Sequence, residues 1–218
     1  RFQLSSVEGD KDYRDFSISS IVHKIRNTTS NTISTLKASR TIFKPYQYKP
    51  LIKFLNSDLK RLLIADEVGL GKTIEAGHIM LELAARGQLQ NGLIICTNSL
   101  KDKWKMELAE KFNFHFKIYS SSNEFVRDLE DEHRSNNRSI FGILNYEKCR
   151  SEKIKECLES IEYSFDVLIC DEAHKIRNSE TAQHKGVNLI MGFCRAAIFL
   201  TATPIMTDIR NLHSLMKV

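Results

Sequence analysis

A chain of 218 residues exceeds an average domain of about 150 by roughly half, which predicts one large domain with an appendage or two small ones. Its hydrophobic fraction of 42% and charged fraction of 27%, with nine Gly and three Pro, exclude collagen-like and linker-dominated chains. Lys+Arg 32 against Asp+Glu 27 leaves +5, a mild basic excess that admits a nucleic-acid partner but lacks the concentrated charge of a histone-like binder.

Cys96, Cys149, Cys157, Cys170 and Cys194 contain no C-x-x-C pair, so they predict reduced, buried thiols rather than a disulfide framework or a zinc knuckle. No apolar run approaches the roughly 20 residues of a membrane span, because Arg195 splits the longest candidate, around 189–200. A soluble, cytoplasmic protein with no membrane partner is expected. The chain opens on Arg1 without a charged-then-apolar leader, as expected of an excised fragment with no secretory signal.

Along the chain, residues 1–40 differ from the rest. The stretch 27–35 is polar at every position except Ile33, which predicts a linker or small appendage ahead of a domain spanning 41–218. A helix running from Pro45 toward Asn56 meets Pro50, whose missing N–H would cost up to about 3 kcal/mol in a helix interior, so it must kink or start late. Strand-length apolar runs follow at 62–65, 93–96, 116–119, 140–144, 167–170 and 196–200. Helix-like stretches occupy 72–86, with Gly87 placed as its stop, then 100–112, 123–133, 147–161 and 181–191, and a last one after Thr207. Runs that are apolar at nearly every position belong to strands covered on both faces. Their repetition with helices predicts an α/β domain, a parallel sheet flanked by helices.

The first strand runs into Asp66-Glu67-Val68-Gly69-Leu70-Gly71-Lys72-Thr73 and directly into a helix. Glycines let backbone N–H groups turn toward an anion, and the helix N-terminus adds partial positive charge. Lys72 then reaches β- and γ-phosphates, and the Thr73 hydroxyl holds Mg²⁺. Asp66 replaces the first Gly of the G-x-x-x-x-G-K-[ST] pattern. A parallel strand delivers its last side chains to the same sheet edge as such a loop, so Asp171 and Glu172 after the run 167–170 can divide the labour there. Asp171 positions Mg²⁺, and Glu172 orients and deprotonates an attacking water. Taken alone, Asp171-Glu172-Ala173-His174 also reads as an acidic helix start. Thr201-Ala202-Thr203-Pro204 ends a third strand with hydroxyls able to bond the carboxylates and transmit the state of the γ-phosphate; by itself it reads equally as a polar turn. The absence of an N-K-x-D tetrapeptide disfavours a GTPase.

In this order the three blocks resemble the first RecA-like lobe of superfamily 2 helicases and, within it, the Swi/Snf-type DNA translocases, over roughly 41–218. Phe43-Lys44-Pro45-Tyr46-Gln47 looks like that family's Q motif, with Gln47 at the adenine-reading position, and Asp66 is usual there. Thr97-Asn98-Ser99-Leu100, with Trp104 and Glu107, resembles motif Ia, although Thr97 replaces a common proline. Asn145-Tyr146-Glu147 sits where motif Ib is expected. Asp171 to Asn178 resembles the extended DEAH box, and 200–205 resembles motif III, with Met206 and Thr207 in place of Gln and Asn. The wording of 66–77 is nearer to bacterial members than to the chromatin-remodelling branch.

The resemblance implies a RecA-like P-loop NTPase lobe that binds ATP through Gln47, Asp66, Glu67, Val68, Gly69, Leu70, Gly71, Lys72 and Thr73. It implies catalysis by Lys72, Asp171 and Glu172, with Mg²⁺ on Thr73 and Asp171, and coupling through His174, Thr201 and Thr203. Nucleic acid, duplex DNA in the first place, would meet Ser99, Lys101 and Lys103. A second RecA-like lobe of the same parent would supply the completing arginines, so an isolated first lobe is expected to be nearly inactive. An RNA or single-strand helicase, and a nucleotide-gated binding module without productive hydrolysis, are the alternatives.

Overall fold

The computed structural model describes residues 33–202, apart from Lys37, Val68, Arg177, Ser179 and Glu180. The helix expected after Thr207 lies outside the described residues. The expected strands form as β1 Arg61–Ile64, β2 Gly92–Cys96, β3 Lys117–Ile118, β4 Phe141–Asn145, β5 Phe165–Asp171 and β6 Cys194–Leu200. They make one parallel sheet in the order β1-β6-β5-β2-β4-β3.

Every residue of β2 and β5 is buried, as near-continuous apolar runs require. Alternate side chains enter opposite layers. Leu93, Ile95, Leu168, Cys170, Ala197 and Phe199 enter one apolar cluster, whereas Ile94, Cys96, Val167, Ile169, Ile198 and Leu200 enter the other.

The helices are α1 Lys49–Leu55, α2 Lys72–Ala85, α3 Lys101–Phe112, α4 Ser122–Arg134, α5 Glu152–Ser160 and α6 Ala182–Met191. The proline conflict resolves by a late start. Residues Pro45–Tyr48 make a 3₁₀ turn, and Pro50 falls in the first turn of α1, where a missing N–H costs no intrahelical bond. After α2, the Gly87 N–H bonds the Ala84 carbonyl and the Gln88 N–H bonds that of Leu83, so the helix stops where expected.

The single helix expected over 147–161 is instead two pieces. A 3₁₀ turn Lys148–Arg150 precedes Ser151, whose extended backbone separates it from α5. Asn145 accounts for the break: its Oδ1 accepts the Lys148 N–H at 3.0 Å and its carbonyl accepts the Cys149 thiol, so side chain and main chain together fold a local turn.

Ahead of residue 41, Ile33 joins the apolar layer around α2. Ser34 and Thr35 donate backbone and hydroxyl bonds to the buried Glu82 carboxylate on that helix.

Strand register places the site. Ile64 pairs with Leu200, and Leu200 pairs with Asp171, so the last residue of β1 and the last of β5 lie level, two strand spacings or about 10 Å apart across the sheet. The glycine loop leaves β1 at the same edge.

Candidate functional site

The loop from Ala65 to Gly71 joins β1 to α2. Gly71 has φ +98° and caps the helix in the left-handed region, a conformation open to glycine at little cost. A helix leaves its first N–H groups without intrahelical partners and carries partial positive charge there. Lys72 begins the helix, and its Nζ folds back to donate to the carbonyls of Asp66 at 2.8 Å and Glu67 at 3.1 Å. Thr73 follows in the first turn of α2. Val68 lies outside the described residues.

Gln47 reaches the loop from the 3₁₀ turn. It is 4% exposed and its Nε2 donates to the Leu70 carbonyl at 3.0 Å. One N–H of the amide is thereby engaged, and the other N–H and Oε1 take no part in that bond. A cavity of about 570 Å³ opens beside the loop between Tyr46, Lys49, Pro50, Lys53, Asp66 and Leu70.

Behind the loop, Glu75 is fully buried. Burial first, and the neighbouring Asp66 carboxylate second, push its carboxyl up to about 8, so it keeps its proton at neutral pH.

At the end of β5 the Asp171 carboxylate is held on both oxygens. Oδ1 accepts the Glu172 N–H at 2.8 Å, and Oδ2 accepts the Trp104 indole N–H at 2.8 Å. Glu172 takes a left-handed backbone, φ 56°, an uncommon conformation for a non-glycine residue and one that clusters at functional sites. Its Oε2 lies 3.1 Å from His174 Nδ1. Thr201 is fully buried, and its N–H bonds the Ile64 carbonyl at 3.0 Å, joining the end of β6 to the start of the glycine loop. Thr203 lies outside the described residues.

Asp171 and Thr73 offer hard oxygen donors at one sheet edge. Each Asp171 oxygen accepts one N–H and has a further lone pair, so the donor set fits a magnesium ion that brings waters and phosphate oxygens of its own.

Of the expected nucleic-acid residues, Ser99 is exposed and shares a 3.1 Å contact with the Thr97 hydroxyl. Lys101 is only 8% exposed. Burial, and then the adjacent Lys148, lower its pKa. Lys103 is exposed, about 200° around α3 from Lys101, so the two lysines do not share a face.

Lys148 was absent from the residues expected at this site. Its signal, a lysine two places after the Asn145-Tyr146 pair, is weak without the fold. The structure also brings in Trp104 and Tyr146. Both are buried, and the Tyr146 hydroxyl donates to the Asp171 carbonyl.

Comparison with known proteins bears on the family and the fold. The SNF2-related domain model matches residues 46–218. The chain is 32% identical over 174 residues to the RNA polymerase-associated protein RapA of Haemophilus influenzae (strain PittEE), covering 78% of this chain and 18% of that protein. It is 34% identical over 177 residues to the uncharacterized ATP-dependent helicase YqhH of Bacillus subtilis (strain 168), covering 79% of this chain and 29% of that protein. The Sulfolobus solfataricus SWI2/SNF2 ATPase core in complex with dsDNA has the same fold, with a TM-score of 0.64 at 24% identity, over 82% of this chain and 36% of that one. The chain thus spans between 18% and 29% of the length of these two curated relatives. Among the described residues no helix is long and apolar enough to cross a membrane.

Proposed function

The chain belongs to the SNF2-related domain family, and on that premise we propose that it is the ATP-binding lobe of a DNA-dependent ATPase that translocates on duplex DNA. The observation that carries this is the shared sheet edge. Lys72 and Thr73 at the start of α2, and Asp171 and Glu172 at the end of β5, open on the same side, beside the Lys101 and Lys148 pair.

ATP enters as the substrate. Lys72 exchanges its two loop carbonyls for phosphate oxygens, and Gln47 reads the adenine edge through the amide groups left after its bond to Leu70. Asp171 and Thr73 would hold Mg²⁺, which would supply charge neutralisation to the phosphates when bound. Glu172 orients the attacking water and takes its proton, worth about 10² to 10⁴ in rate for a general base. His174, within 3.1 Å of Glu172, and Thr201, bonded to the end of β1, are placed to pass the state of the site to neighbouring strands; Thr203 is assigned to the same coupling.

Lys101 lies beside Lys148, with the Glu147 carboxylate offsetting part of their mutual repulsion, and a phosphate bound between the two amines would relieve the rest. This supports Lys101, with Ser99, as a contact to one strand of the nucleic acid; Lys103 would contribute from its own exposed face. A second RecA-like lobe of the parent protein would add an arginine, worth about 10³ to 10⁵ in rate, so an isolated first lobe is expected to be nearly inactive. We place the protein in the cytoplasm.

The test is the ATPase rate of the intact parent protein without nucleic acid and with duplex DNA, single-stranded DNA or RNA. Stimulation by duplex DNA alone is expected. Stimulation by RNA or single strands replaces the translocase with a helicase, and no turnover under any condition leaves a nucleotide-gated binding module.

A further inference from the structure

The contacts on Asp171 join the two halves of the site. Trp104 lies one helical turn after Lys101 on the same face of α3 and is 1% exposed. Its indole N–H ends on Asp171 Oδ2 in a buried bond of 2.8 Å. Tyr146, 2% exposed, follows β4 and donates its hydroxyl to the main-chain carbonyl of the same aspartate. Asp171 is therefore held at its carboxylate from α3 and at its backbone from the turn that carries Lys148. Asn145 closes the frame: its Nδ2 donates to Asn98 Oδ1 at 2.9 Å, and its Oδ1 accepts the Lys148 N–H.

Packing alone does not call for these polar atoms. Phenylalanine at both positions would fill an apolar core without a buried N–H or O–H to satisfy. A hydrogen bond from an indole to an ionised carboxylate is also about twice as strong as one between neutral groups. The Asp171 carboxylate cannot rotate without breaking either the indole bond or the bond from the Glu172 N–H. A shift of the first turn of α3 toward a phosphate carries the indole with it, and the carboxylate plane must follow.

We propose that Trp104 and Tyr146 are positioning residues that convey nucleic-acid engagement at Lys101 and Lys148 to the orientation of the Asp171 carboxylate. The inference rests on reading Asp171 as the Mg²⁺ holder and the lysine pair as a phosphate contact. Neither Trp104 nor Tyr146 touches substrate; both act through Asp171.

Trp104 is the sole tryptophan of the 218 residues, so its indole N–H gives one ¹⁵N-correlated resonance in the chain itself. Duplex DNA added without nucleotide is expected to move that resonance. Trp104→Phe is expected to raise the Mg²⁺ concentration for half-maximal ADP binding about tenfold, the lower end of the effect of removing a group that orients a metal ligand. ADP binding in excess EDTA and duplex-DNA affinity should stay within about twofold of wild type, whereas a merely structural loss would weaken ADP binding with and without metal alike. Tyr146→Phe, which deletes one oxygen, should shift the Mg²⁺ requirement in the same direction. If Trp104→Phe does not fold, the wild-type resonance and Tyr146→Phe decide the matter.

DNA binding, measured by fluorescence anisotropy, with an unmoved indole resonance overturns the proposal. An unchanged Mg²⁺ requirement in the folded variants does the same. Absence of DNA binding overturns the phosphate-contact reading and this proposal together, and anisotropy distinguishes that failure from the others.

Discussion

A Cβ placed on Gly71 would lie 2.3 Å from Gln47 Nε2, closer than any real side chain approaches, so the glutamine amide and the last loop glycine occupy complementary space. Gly71 also has φ +98°, which costs a non-glycine residue about 1–2 kcal/mol. Gly71→Ala is expected to displace Gln47, break its bond to Leu70 and weaken ADP binding at least tenfold. In a Gln47→Ala background the collision is gone and only the backbone strain remains, so the second substitution should cost less than it does in wild type. Equal costs in the two backgrounds, measured by ADP titration, would refute the contact.

Stability should fall in acid because of His78. Its ring stacks on Tyr48 at 4.2 Å between centroids and meets the edge of Phe112 at 5.3 Å. It is 1% exposed, and neither ring nitrogen has a hydrogen-bond partner among the described residues. Burial lowers its pKa from 6.5 to about 4. The unfolded chain therefore takes a proton near 6.5 that the folded chain refuses until about 4, and stability is lost as pH falls through that window. The whole effect is about 3 kcal/mol. Thermal melts from pH 7 to pH 4 check this: His78→Phe should flatten the acid limb, and an unchanged slope would count against it.

Much of this was readable from the chain because its signals are local. Strands β2 and β5 are buried on both faces, so their apolar runs were visible without knowing their neighbours. The glycine loop and Asp171-Glu172 are likewise short stretches whose residue types state their chemistry. What escaped depends on contacts distant in sequence. Trp104 and Asp171 are 67 residues apart, and nothing in either segment distinguishes an indole bonded to a carboxylate from one packed in a core. The break before α5 escaped for a different reason: an asparagine turn and one extended serine interrupted a helical apolar pattern that continues through 147–161. Lys101 and Lys148 meet only because β2 and β4 are neighbours.

The two charged ends of the site should fail differently. In the intact parent protein, Lys72→Ala removes the ammonium that would meet the phosphates and should abolish turnover by weakening nucleotide binding. Glu172→Gln keeps the side-chain shape and removes the base, so ATP binding should persist while hydrolysis falls about 10²- to 10⁴-fold. Paired binding and single-turnover measurements separate these outcomes. Wild-type hydrolysis in the glutamine variant would take the base role from Glu172.

Salt dependence offers a count of phosphate contacts that activity does not. On duplex DNA the log-log slope of affinity against salt is about 0.9 per phosphate neutralised. Lys101 and Lys148 come from adjacent segments and face one another, whereas Lys103 is exposed about 200° around α3. Lys101→Ala and Lys148→Ala should therefore each lower the slope by up to about 0.9. The double variant should lose no more than the sum, and less if the two amines share one phosphate. Lys103→Ala separates a local contact from a diffuse field. If it lowers the slope as much as Lys101→Ala does, the phosphate lies along the outer face of α3, and the pairing of buried Lys101 with half-buried Lys148 is a structural feature of the lobe rather than its grip on the strand.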